Sequence, residues 1–332
     1  MFKIIKKKKK ELSIKKFFER RNKVLIKRTL GGFGDILMQR MMFEDFAKTG
    51  LDIHYTCPSQ FIELVQDHKF LKEEPIELHK IDEEEFGIVY DITRICAYTE
   101  SRELEKNTRH RSDIWANYCG VDLTKHEMHL TVDPECLSFC RDSAEKINPE
   151  KRPMVLLCTK SSAGALGIAK SLTNEQTRKI VEYVKSLGMV PITTDEKHQD
   201  IYSEMGVMQF TPITVKTWIA LVSICDLVIS VDTATFHMAG GLKKPLVGVF
   251  SFIDGKVYGK HYEFVLVQKH RDNGDWDCGP CFAFIRCPKE STSTRKPCIT
   301  HLSFEEIKAG IDEAIRKWEI PINRAESLPH TH

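Results

Sequence analysis

No stretch of 18 apolar residues occurs in this 332-residue chain, and its first residues lack the apolar segment and small-residue cleavage site of a secretory signal. A membrane-spanning or secreted protein is therefore not expected, and the reading is cytoplasmic. A disulfide framework is missing as well. Seven of the eleven cysteines are scattered singly or loosely, as reduced thiols used as small hydrophobes are. Net charge is only +2, yet it is divided unevenly: residues 1–28 hold 13 Lys+Arg against 2 Glu, which leaves 36 against 45 for the rest. The basic character belongs to the leader alone.

The leader, residues 1–22, mixes a lysine block with Phe2, Ile4, Ile5, Phe17 and Phe18. Cations with interleaved aromatics suit an anionic membrane surface, which would make the protein peripheral to the inner membrane; they also suit a nucleic-acid backbone. A solvated tail is the plain alternative.

Beyond the leader, apolar runs and helical periodicity alternate, as they do in an α/β chain with parallel sheets. With 42% hydrophobic and 29% charged residues, the length suffices for two domains. They are placed at 23–148 and 149–332, with the proline-bearing segment 133–151 as hinge. Val24-Leu25-Ile26 reads as a strand, followed by Gly31-Gly32-Phe33-Gly34-Asp35 and a helix over 36–47. A dinucleotide fingerprint is not met. Leu37 stands where its third glycine belongs, and the next strand, Ile53-His54-Tyr55-Thr56, ends in Cys57-Pro58 without the ribose-binding acid. What the loop does present is Asp35, a carboxylate at a helix start. It can serve as general base on a hydroxyl or as a structural cap. Arg109 and Arg111, in the cationic segment 102–111, are able to hold an anionic acceptor.

The second half repeats the pattern. A strand over 154–158 leads to a loop with Lys160, Ser161, Ser162, Gly164 and Gly167, suited to a pyrophosphate, and Thr173 with Gln176 forms a capping box. Residues 227–250 read as strand, helix, strand, with Asp232-Thr233 at the turn and His237 on the helix. Ligands of open parallel sheets collect beyond the carboxyl ends of strands, where helix N–H groups meet phosphate. An ordinary strand-to-helix turn would use the same residues.

Within an excursion at 275–300, Cys278-x2-Cys281-x5-Cys287-x10-Cys298 has the spacing of a closed tetrahedral site, fit for zinc or iron in a structural role. Asp275-Trp276-Asp277 does not end an apolar strand, so no catalytic metal is assigned to it.

These residues together resemble the lipopolysaccharide heptosyltransferases of glycosyltransferase family 9. Asp232-Thr233-Ala234-Thr235-Phe236-His237-Met238-Ala239 is similar to the family's Asp-Ser-Gly-x-x-His-x-Ala, Gly34-Asp35 to its amino-terminal Gly-Asp, and Lys170-Ser171-Leu172 to its Lys-x-Trp, the tryptophan being lost. The resemblance covers roughly residues 23–310. It implies a GT-B fold, two Rossmann-like domains facing across a cleft with acceptor bound by the first and nucleotide sugar by the second. It also implies an inverting transfer of a heptose or related sugar, ADP-heptose favoured, to a saccharide or lipid-linked acceptor. Asp35 would be the base; Gly34, Ser161, Lys170, Asp232, Thr233, Ala234 and His237 would hold the donor, with no divalent metal needed for transfer. The four cysteines are similar to the iron-binding set of autotransporter heptosyltransferases. Transfer to modified DNA bases and a non-catalytic sugar-nucleotide-binding module are the alternatives.

Overall fold

In the computed structural model, the described residues are 20–161, 164–195, 199–211, 214–271, 276–282, 287, 289 and 296–322. Of the leader only 20–22 fall within them, and Asp275 and Ser162 lie outside. The chain divides into two compact units. Residues 1–99 and 111–129 form one, residues 100–110 and 130–332 the other.

The first unit is built on a parallel sheet of four strands in the order β3-β2-β1-β4. These are β1 (Lys23–Lys27), β2 (Asp52–Cys57), β3 (Ile76–Glu77) and β4 (Ile88–Asp91). Val24, Leu25 and Ile26 are fully buried, and so are Ile36, Leu37, Met41 and Phe43 from the helical segment after β1. That segment is the predicted helix in three pieces: Phe33–Gln39, a tighter turn at Arg40–Met42, and Phe43–Ala47.

The second unit carries six parallel strands in the order β10-β9-β8-β5-β6-β7. They are β5 (Met154–Cys158), β6 (Val190–Thr193), β7 (Met208–Gln209), β8 (Leu227–Val231), β9 (Leu246–Phe250) and β10 (Val265–Gln268). Read from β7, the strands run outward from β5 in one direction and from β8 in the other, which is the doubly wound Rossmann order. Strands β5, β8 and β9 are buried at every position, so they read as unbroken apolar runs instead of alternating ones. The helices Asn174–Ser186 and Phe304–Lys317 cover one face and share a core with Val155, Leu157, Ile229, Val247 and Val267.

Both of those helices open with a capping box. In the first, the Thr173 hydroxyl accepts from the Gln176 backbone N–H, and Gln176 Oε1 accepts from the Thr173 N–H at 2.8 Å. The Gln176 amide then donates to the carbonyls of Ile299 (2.8 Å) and Leu302 (2.7 Å), at the far end of the cysteine excursion.

The division near residue 130 differs from the boundary expected at 148/149. The reason is the amphipathic helix Pro134–Ile147, which packs on Val215–Ile224; Cys140 bonds the Thr217 carbonyl, and Lys216 pairs with Asp133 at 3.6 Å. Among the described residues, no helix is long and apolar enough to cross a membrane.

Candidate functional site

In the first unit the strand order reverses between β1 and β4, and the chain leaving β1 supplies Arg28. Its guanidinium, 4% exposed, donates to the carbonyls of Ile92 (3.2 Å) and Thr93 (2.9 Å), just past β4, and lies over the Trp115 ring. The same group donates to Asp35 Oδ2 at 2.9 Å, and Arg111 donates to Asp35 Oδ1. The Gly32 N–H completes the set by donating to the same carboxylate. Gly31 has φ +141°, and a Cβ there would press on the Arg28 guanidinium and the Asp35 carboxylate, so only glycine leaves room for the pair. Burial pushes the Asp35 carboxyl up, but Arg111 and Arg28 outweigh it and hold it below the usual carboxylate range. Asp35 is thus ionised, with both oxygens occupied by cations. Gly34 sits beside it in the first helical turn. Arg109 pairs with Glu103 instead, within the second unit.

In the second unit the order reverses between β5 and β8, and the candidate donor residues follow those two strands. Asp232 follows β8, and its Oδ2 accepts from Lys170 Nζ at 2.5 Å. Burial favours a protonated Asp232, but Lys170 first and His237 next hold it well below the usual range. Thr233 is the N-cap of the helix Ala234–Gly241; its hydroxyl meets Ser230 at 3.0 Å and makes no cap bond, which leaves the first-turn N–H groups of Ala234 and its neighbours to another acceptor. His237 is 2% exposed, not a surface residue. Its Nε2 lies 3.8 Å from Asp232, and its Nδ1 is 3.0 Å from the Tyr262 hydroxyl. Lys170, 17% exposed, is the most open of the three. Ser161 stands after β5 with its N–H bonded to the Ser171 hydroxyl, and Gly167 is glycine because a Cβ would strike the Ser161 carbonyl.

Residues not singled out from the sequence complete this end of the sheet. Asp195, after β6, accepts from the N–H groups of Thr159 (3.0 Å) and Lys160 (3.1 Å) and from the Tyr202 hydroxyl (3.0 Å), and burial pushes its carboxyl up to about 7 against those donors. Lys160, which the sequence placed in a loop suited to a pyrophosphate, is instead buried and turns inward to the Leu172 carbonyl and Asn174. The position of Asp195 directly after an apolar strand was the available signal. Arg28 offered a similar one, a cation leaving β1 seven residues before a carboxylate.

The four clustered cysteines share one pocket, also lined by Trp276 and Lys296. Burial pushes the Cys298 thiol up to about 12, and the nearness of Cys281, Cys287 and Cys278 adds to it. Among the described residues the sulfurs are not drawn together as a coordination sphere. The donor set nevertheless suits zinc or iron: four thiols surround one pocket whose buried Trp276 Nε1 lacks a hydrogen-bond partner.

Residues 109–259, which hold Lys170, Asp232 and His237, match glycosyltransferase family 9 (heptosyltransferase). That match spans 151 of the 332 residues and marks the protein as a glycosyltransferase similar to family 9. No curated protein sequence matches it. Among solved structures it is similar to the family 9 glycosyltransferase of Veillonella parvula, at 11% identity over 90% of this chain and 98% of that one, TM-score 0.66. It is also similar to the iron-containing dodecameric glycosyltransferase TibC of enterotoxigenic E. coli (14% identity, 90% and 77% covered, TM-score 0.65) and to E. coli ADP-heptose lipopolysaccharide heptosyltransferase II (11%, 90% and 99%, TM-score 0.57). At these identities the likeness establishes the fold, which is the GT-B class of two Rossmann-like units.

Proposed function

We propose that the protein transfers a heptose or related sugar from a nucleotide diphosphate, ADP-heptose in the first place, to a saccharide or lipid-linked acceptor with inversion. The observation that carries this reading is the Lys170–Asp232–His237 set at the reversal point of a family 9 sheet, where a Rossmann-like unit receives a phosphorylated ligand. ADP-heptose is favoured because TibC has been solved with ADP-D-β-D-heptose and heptosyltransferase II is named for it.

In the proposed reaction the acceptor oxygen forms a bond to the anomeric carbon while the bond to the diphosphate breaks. The diphosphate departs with the electron pair, and the acceptor proton passes to Asp35. Lys170 and the N–H groups at 233–234 take up the charge of the leaving diphosphate, so no catalytic metal is required. Asp232 keeps Lys170 directed, His237 backs Asp232, and Ser161 and Gly34 line the approach of the substrates. Asp35 is ionised, as a base must be, and its proton affinity rises when an acceptor anion draws Arg111 away. Cys278, Cys281, Cys287 and Cys298 hold one structural metal that cross-links the excursion; iron, present in TibC, is the first to assay, zinc the second.

The experiment is a thermal-shift panel of ADP, GDP, UDP and CDP sugars on the parent chain and on Asp35→Asn. A donor at a hundred times its Kd should add about 2.7 kcal/mol of stability. The expected result is one responsive donor, an unchanged shift in the variant and loss of transfer. Equal transfer by parent and variant removes Asp35 as base; no response to any donor removes the transferase reading.

A further inference from the structure

Lys296 is 8% exposed, with its Nζ 5.6 Å from the centre of the Phe252 ring. Among the described residues no carboxylate pairs with it. A cation on a mostly buried side chain with no anion beside it is poorly compensated, and a counter-charge in the pocket it lines would offset that cost. Trp276 presents a second unmet group. Its indole Nε1 is buried and has no acceptor. Both line the pocket that holds Cys278, Cys281, Cys287 and Cys298. Lys289, by contrast, is exposed and already bonded to Asp277.

A divalent metal on four thiolates keeps two net negative charges, spread over the sulfurs. Such a centre requires nearby positive charge and N–H donors, which set both metal affinity and, for iron, reduction potential. The two unmatched groups in the pocket have that character. We propose that Lys296 and the Trp276 indole N–H are the outer partners of a metal–tetrathiolate centre, the lysine balancing its charge and the indole donating to a sulfur. The inference rests on the metal reading of the four cysteines. Its competitor is a lysine whose stem merely packs on Phe252.

The two are separated on the full chain by metal competition against a chromophoric chelator, using zinc alone and then ferrous iron alone. Lys296→Met keeps the stem and removes the charge; Lys296→Arg keeps the charge; Trp276→Phe removes the donor. Expected are a loss of about 10- to 100-fold in metal affinity for Lys296→Met, the size typical of outer partners, and a smaller loss for Trp276→Phe. Lys296→Arg should stay near the parent. In the iron form, Lys296→Met should lower the reduction potential, since the reduced centre is the more negative one. Should Lys296→Met fail to fold, Lys296→Gln and Trp276→Phe carry the same measurement. Metal affinity and potential unchanged in the charge-removing variants would overturn the role of Lys296 and leave the metal site standing. An arginine variant as weak as the methionine one would overturn charge balance in favour of packing. A parent chain that binds neither metal would overturn both.

Discussion

Asp35 shows how a residue can be identified from sequence while its chemistry is not. Its place at a helix start after a glycine loop was readable, because that depends on neighbours within a few positions. Its two cations come from Arg28, before the loop, and from Arg111, 76 residues later, and no local pattern announces the second. The pairing has a measurable sign. The folded pKa of Asp35 lies below its unfolded value, near 3.9, so the group stabilises the fold above that pH and loses its contribution as pH falls through the folded value. Arg111→Met removes one of the two cations and should bring the Asp35 pKa upward. The acid limb of kcat/KM against pH should then move to higher pH, and the stability advantage of neutral over acidic solution should shrink. A limb at the parental position, measured over pH 3–8, would detach Arg111 from the reactivity of Asp35.

At the scale of elements, legibility followed burial. The bounds of β5 agree with the sequence reading, and β8 opens at residue 227 as expected, because strands covered on both faces write themselves as local composition. What periodicity could not reveal was which element a side chain would serve. The helix Ala234–Gly241 illustrates this. Its two glycines look like a helix terminator, yet Gly240 has a packing role: a Cβ there would meet the ring of Tyr262, whose hydroxyl bonds His237. Gly240→Ala sets two effects against each other. Alanine favours the helix by about 1 kcal/mol, whereas forcing the ring aside costs about 1–3 kcal/mol. The steric term should win. Urea denaturation should show net destabilisation, and the donor-induced thermal shift should decline as His237 loses its partner. A stabilised variant with undiminished donor response would show that Tyr262 yields freely.

For the molecule as a whole, the two-sheet plan was legible from the alternation of apolar runs, whereas the path of the chain between units was not. Residues 100–110 and the helix Pro134–Ile147 belong to the second unit because of contacts made far along the sequence, and a proline-bearing segment only hints at where a boundary falls. The cysteine spacing was likewise plain, while the lysine and indole that share its pocket carry no spacing of their own. If the metal reading holds, purified protein should contain about one metal per chain, and chelation should lower its melting temperature. A metal-free sample with the full melting temperature would refute that.

The amide of Gln176 ties these scales together. One end of this side chain caps its own helix at Thr173, the other grips Ile299 and Leu302 next to Cys298, and Lys160 holds the intervening Leu172 and Asn174 from the end of β5. The excursion and the turn that leads from Lys170 into the helix are therefore clasped by the same few hydrogen bonds. Stripping the metal should loosen that clasp at a distance: amide exchange should quicken over 171–176 as well as around 296–302, while the strands beneath stay protected. A metal bound for structure would in that way govern how firmly the neighbouring lysine is presented.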